Sequence, residues 1–220
     1  MSTPGTHTFT VTDSETLVDA PILAVRRDQV VMPGGGTADR EIVEHFGAVA
    51  VVAYDAERGA VAMVRQYRHA VGTRLLELPA GILDFAGEDP LTAARRELGE
   101  ETGLDAGSWD SLVDLVTSPG FCDEAVRVFL ARDLRAVERP EPEDEEADMS
   151  LEWIGLDAAR DAVHAGEVAN SIAVAGVLAA HDVLRHGAAV RPADAEFTLR
   201  PQALARRRQA AGIVPDMKKL

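Results

Sequence analysis

Apolar residues alternate with polar ones through the first part of the chain and recur three and four apart later on. Thr8-Phe9-Thr10-Val11-Thr12 alternates as an exposed strand would. Ile22 to Val25 and Gln29 to Met32 read as a second strand region, which Pro33-Gly34-Gly35-Gly36 breaks. That glycine run lacks the Lys-Ser/Thr of a phosphate-cradling loop, so it reads as a turn. Ile42-Val43 and Gly47 to Ala53 continue in strand, with Val61 to Arg65 as a neighbour and Asp55 to Gly59 as the hairpin turn between them. A helix is expected before Thr102-Gly103, followed by strands at Ser111 to Val116 and Ala125 to Leu130.

Segment 138–148 is rich in Pro and Glu, which favours a solvated loop over a packed element. Leu151 to Ile154 resumes as strand, and Leu156 to Ala165 and Ser171 to Leu184 read as helices, the second apolar enough to be buried. Strands flanking a helix, with a terminal helix packed back, predict an α/β layered domain. The expected division is an N-terminal β extension over 1–40, a main domain over 41–188 and a basic tail over 189–220. The tail carries Arg206-Arg207-Arg208 and Lys218-Lys219 and reads as a solvated terminus, helical and then frayed.

Composition narrows the function. At 220 residues the chain can bury one sizeable core. No apolar run reaches about 18 residues, and MSTPGTHTFTVTDSETL is not a basic-then-apolar leader, so a cytoplasmic protein without a membrane partner is expected. A single cysteine, Cys122, excludes an internal disulfide and a multi-cysteine metal cluster, and it reads as a passive thiol. A net charge of -15 argues against a nucleic-acid partner. An anionic small substrate is still allowed, provided bound cations and a few arginines meet it locally.

The candidate chemistry lies on the helix before Gly103. Glu97, Glu100 and Glu101 fall three and four apart, hence on one face. Like charges so placed repel, and either solvent or a hard divalent cation must offset them. The surrounding residues favour the cation. Gly81 to Leu104 resembles the Nudix box, G-x5-E-x7-R-E-U-x-E-E-x-G-U with U aliphatic. Glu88 is followed after seven residues by Arg96-Glu97-Leu98-Gly99-Glu100-Glu101-Thr102-Gly103-Leu104, which meets every fixed position of that half. Six residues, Ile82 to Gly87, separate Gly81 from Glu88 where the pattern has five. The extra residue falls in the loop ahead of the helix.

Four further segments carry the resemblance. Arg65-Gln66-Tyr67-Arg68, Glu77-Leu78-Pro79-Ala80-Gly81, Ser118-Pro119-Gly120-Phe121 and Glu145-Glu146-Ala147-Asp148-Met149 are similar to the ADP-ribose pyrophosphatase branch of the Nudix hydrolases. The loop spacing and the last two segments look most like its actinobacterial members. The resemblance implies a Nudix α/β/α sandwich with a mixed β-sheet, plus N-terminal β-strands reaching across a homodimer. It also implies a Mg²⁺-dependent hydrolase, with Mn²⁺ as an alternative, that splits ADP-ribose into AMP and ribose 5-phosphate. Box residues alone do not separate ADP-ribose from another nucleoside diphosphate sugar or a dinucleotide. A nucleotide sensor without hydrolysis would be expected to lack box glutamates, which this chain retains.

Glu97 and Glu101 are the expected metal ligands, with Glu100 in support. The resemblance adds the backbone carbonyl of Ala80. Arg96 reads as a counter-charge that orients a glutamate. Glu88 reads either as a similar support or as an N-terminal cap ahead of Pro90. By resemblance the catalytic base is Glu146 or Glu145, with Glu146 preferred by its distance from Met149. In a glutamate-rich run the competing reading is simple solvation. Arg65 and Arg68 suit phosphate or adenine. The resemblance places Gly120, Phe121 and Glu124 at the terminal ribose and Glu77 and Glu44 near the adenosine. Glu44 and Glu77 read equally well as strand-surface charges.

Overall fold

The computed structural model describes residues 5–141 and 147–219. Three alternating segments make a first antiparallel sheet: β1 (Val11–Asp19), β2 (Leu23–Val31) and β3 (Thr37–His45), in that order. Gly34 and Gly35 take positive φ, 110° and 89°, in the turn between β2 and β3, so the triple glycine is a turn as its chemistry suggests. The first strand is longer than the alternation at 8–12 indicates and ends at Asp19.

Eight strands form the second sheet. β4 (Ala48–Asp55) and β5 (Ala60–Arg68) are the expected hairpin, and β6 (Thr73–Glu77) and β7 (Ala80–Ile82) pair with β5 and β4 respectively. Helix α1 (Pro90–Thr102) precedes β8 (Leu104–Val116) and β9 (Ala125–Ala136). β10 (Ser150–Gly155), α2 (Leu156–Ala165), α3 (Ser171–His186) and β11 (Arg191–Pro192) follow. The strand order is β10-β5-β4-β9-β8-β11. β4 and β9 run parallel and the other pairs antiparallel, so the sheet is mixed.

Strand alternation then decides the layers. Ala48, Ala50 and Val52 of β4 pack with Val128 and Leu130 against α2 and α3, through Ala159, Ala173 and Val177. Val49, Val51 and Ala53 point the other way and pack with Phe129 on Ala93, Ala94 and Leu98 of α1. Both faces of the central strands are thus covered, which is why they read as continuous apolar runs. The result is an α/β/α sandwich with α1 alone on one side of its central strands. Among the described residues no helix is long and apolar enough to cross a membrane.

The basic tail departs from expectation. Residues Ala203–Ala210 form α4, whose Leu204 and Ala205 pack with Met217 against Ala24 and Phe46. Arg208 is 2% exposed, donating from Nη1 to Asp19 Oδ2 at 2.9 Å and from Nη2 to the Ala20 carbonyl at 2.7 Å. Arg207 pairs with Glu44, which also accepts from Arg26 Nη1 at 3.0 Å. The tail is therefore folded rather than solvated. Buried Glu44 draws Arg207 inward and half-exposed Asp19 offsets buried Arg208, because a buried charge without a counter-charge is strongly unfavourable.

Candidate active site

Local chemistry sets α1 in place. Asp89 caps its start, accepting from the Leu91 and Thr92 amides at 3.1 Å each, and Pro90 occupies the first turn. Gly103, at φ 67°, closes it by donating to Gly99 O at 2.9 Å. The cap is thus Asp89, and Glu88 has another task.

That task is to hold Arg96. The Arg96 guanidinium donates from Nε to Glu88 Oε1 at 3.1 Å and from Nη2 to Glu88 Oε2 at 3.2 Å. Its Nη1 donates to Glu97 Oε1 at 2.7 Å and to Glu100 Oε2 at 3.0 Å. The Phe85 ring lies 5.2 Å from the guanidinium carbon and covers it. One arginine therefore fixes three carboxylates. Burial works against the Arg96 charge, yet the bond to Glu88 and the fields of Glu97, Glu88 and Glu100 keep its pKa above the ordinary range.

Glu101 is buried and fixed separately, accepting the Ala80 amide hydrogen at 3.1 Å. The Glu97 carboxylate lies against Gly81 of β7. A Cβ built on Gly81 would stand 1.9 Å from Glu97 Cδ and 2.0 Å from its Oε1. Only a glycine leaves room for the carboxylate there. Burial pushes the Glu97 pKa up to about 7, Arg96 opposes the shift, and the charges of Glu100 and Asp84 add to it.

Two acids on one helical face, one in a glycine cradle and one on a strand amide, are hard oxygen donors without imidazole or thiol. That donor set fits Mg²⁺ or Mn²⁺, which complete their shells with water and phosphate oxygens. Among the described residues no three His, Cys, Asp or Glu side chains converge as a closed metal cage. Glu97 and Glu100 lean on Arg96 instead.

The remaining candidates divide by strand parity. Glu77 stands opposite Val64 and shares its face with Arg68, which donates to it from Nη2 at 2.8 Å and Nε at 3.1 Å. Arg65 stands opposite Leu76 on the α2–α3 side and donates from Nε to Glu152 at 2.6 Å. The two arginines therefore lie on opposite faces and form no common clamp. Neither Glu44 nor Glu77 is a surface charge. Glu44 is 1% exposed, with one oxygen taken by Arg26 and the other by Arg207.

Gly120, Phe121 and Glu124 lie on the connection between β8 and β9. β3 pins that loop, since Val43 N donates to Phe121 O at 2.7 Å and Asp123 N to Val43 O at 3.0 Å. Glu124 accepts from Thr117 Oγ1 at 2.6 Å and lies 3.5 Å from His45 Nδ1. Phe121 projects outward beside a cavity of about 510 Å³ that Arg26, Arg40, Ile42 and Val116 also line. Burial pushes the Cys122 thiol up, in keeping with a passive side chain. Glu145 and Glu146 lie outside the described residues. Asp84, buried beside Glu97 and paired with Lys218, escapes sequence reasoning; the extra residue in its loop is the one mark it leaves.

Comparison with known proteins agrees with this layout. Residues 9–43 match the nucleoside diphosphate sugar hydrolase N-terminal domain, and residues 44–173 match the NUDIX domain. An ADP-ribose pyrophosphatase of Mycobacterium tuberculosis is 57% identical over 202 residues, spanning 92% of this chain and 97% of that protein. One from Bacillus subtilis is 38% identical over 154 residues, spanning 70% of this chain and 82% of that protein. The crystal structure of an ADP compounds hydrolase shares the fold, with a TM-score of 0.72 at 19% identity over 84% of this chain and 98% of that one. With the domain match covering more than half of its length and the box glutamates gathered on α1, the chain belongs to the Nudix hydrolase family.

Proposed function

We propose that the protein is a cytoplasmic, Mg²⁺-dependent ADP-ribose pyrophosphatase that yields AMP and ribose 5-phosphate and works as a homodimer. The observation that carries this reading is the preorganised acid face of α1, with Glu97 cradled on Gly81 and Glu101 held by Ala80. The two ADP-ribose pyrophosphatases similar over most of this chain support the substrate. The first strand leaves Val11, Leu17 and Val18 exposed, apolar surface that a second copy would cover.

Glu97 and Glu101, with Glu100 in support and the Ala80 carbonyl beside them, would hold the ion. When bound, it supplies charge neutralisation at phosphorus and a water of lowered proton affinity. Arg96 keeps Glu97 and Glu100 from reorganising as charge develops, with Glu88 fixing Arg96 in turn. Glu146, or its neighbour Glu145, takes the proton from the attacking water. Arg68 with Glu77 and, on the other face, Arg65 are candidates for the adenosine end. Gly120, Phe121 and Glu124 are candidates for the terminal ribose; Gly120 and Phe121 line the cavity that Arg26 also lines.

The test is a substrate comparison at fixed Mg²⁺. ADP-ribose should give a kcat/KM at least about tenfold above a nucleotide hexose or a dinucleotide, the scale that a few pocket contacts provide. A nucleotide hexose turned over faster than ADP-ribose would overturn the substrate and leave the family standing.

A pH dependence follows from Glu97. Its carboxyl is protonated below about 7, and a neutral carboxyl is a poor ligand for a hard cation. Apparent Mg²⁺ affinity should fall by about tenfold per pH unit below that point and level off above it. A calorimetric titration giving the same affinity at pH 5.5 and pH 8 would refute the role given to Glu97.

A further inference from the structure

Residues 213–219 lie along the loop that carries the extra box residue. Ala86 N donates to Pro215 O at 2.8 Å, Met217 N donates to Asp84 O at 2.9 Å, and Phe85 and Asp216 form an antiparallel bridge. This brings Lys218 beside α1. Its Nζ stands 2.6 Å from Asp84 Oδ2. Asp84 is 1% exposed, and Lys218 is the cation that pairs with that oxygen. Lys218 is therefore what offsets its buried charge. Asp84 and Lys218 also each lie close enough to Glu97 for their charges to act on it.

The local charge count is unequal. Asp84, Glu88, Glu97, Glu100 and Glu101 bring carboxylates to one end of the sandwich, against Arg96, Lys218 and, beside Glu88, Arg200. Arg96 is committed to Glu88, Glu97 and Glu100. Lys218 is the adjustable partner: a compact charge on a flexible stem, its side chain 41% exposed and able to move toward solvent.

Resting on the metal site proposed above, we infer that Lys218 is a tethered counter-cation of that site, a positioning residue that lowers its affinity for divalent ions. It satisfies Asp84, whose charge acts on Glu97. When a dication enters, the same positive charge repels it, and the two cations compete for one acidic neighbourhood. The segment around Lys218 thus offsets a buried acidic charge and loosens the site's grip on metal at the same time.

The test measures Mn²⁺ binding to the full-length protein by electron paramagnetic resonance without substrate, alongside thermal unfolding in chelator and in Mn²⁺. Lys218→Met should bind Mn²⁺ about tenfold more tightly than the parent, the order of removing one like charge nearby. It should also unfold earlier in chelator and regain more on adding Mn²⁺. Lys218→Arg, which keeps the charge, should bind as the parent does. Asp84→Asn leaves no buried charge to strand and should bind Mn²⁺ several-fold more weakly. A segment that merely braces the loop would weaken binding in both Lys218→Met and Asp84→Asn. Unchanged or weaker binding in Lys218→Met, or in Lys218→Gln should Lys218→Met fail to fold, overturns the inference. A parent that binds no Mn²⁺, or a Glu101→Gln variant that binds it as the parent does, overturns the metal site and this inference with it.

Discussion

Gly81→Ala is expected to slow ADP-ribose hydrolysis by at least about a hundredfold while leaving the protein folded. The added methyl would fall 1.9 Å from Glu97 Cδ, so the carboxylate must swing away. Displacing it brings no buried backbone into conflict, because the atoms in the way end a flexible side chain. The backbone at Gly81 lies outside the positive-φ region, and alanine there loses less chain entropy on folding. Thermal unfolding in chelator should therefore be close to parental while turnover collapses. Misplacing a group in the site by an ångström or more costs about that factor even when every residue of the site is still present. A Gly81→Ala variant with parental kcat would show that the Glu97 position does not matter, and with it the account of α1 would fail.

Glu146→Gln should cost about a thousandfold in kcat, within the range that a positioned general base contributes. The amide is nearly isosteric but cannot accept the proton, so KM for ADP-ribose should change little. Glu145→Gln should stay within about threefold of the parent, since solvation is all that reading leaves it. A reversal of the two phenotypes would move the base by one residue. Full activity in both variants would place the base elsewhere and leave the α1 site standing.

These two predictions draw on different layers of the chain. The α1 site is legible because its determinants are local: Asp89-Pro90 opens the helix, Thr102-Gly103 closes it, and the glutamate spacing sets the face. The β4–β5 hairpin and the α2 and α3 helices are legible for the same reason. The divergence of Arg65 and Arg68 was also within reach, since three residues along a strand change face.

What lay beyond the sequence is long-range pairing. Arg207 meets Glu44 across 163 positions, and Arg208 meets Asp19 across 189. α4 shows no apolar stripe that would announce a buried helix; its arginines face inward only because Glu44 and Asp19 are there. Glu77 likewise turns from a surface charge into a buried one through Arg68. Lys218 and Asp84 come together only when the last segment pairs with the loop before α1.

Product analysis of the purified protein with ADP-ribose, run with Mg²⁺ and again in chelator, tests the reaction and its metal dependence together. A metal-dependent ADP-ribose pyrophosphatase gives equimolar AMP and ribose 5-phosphate with Mg²⁺ and neither in chelator. Intact ADP-ribose in both reactions, or equal cleavage without metal, would contradict that assignment.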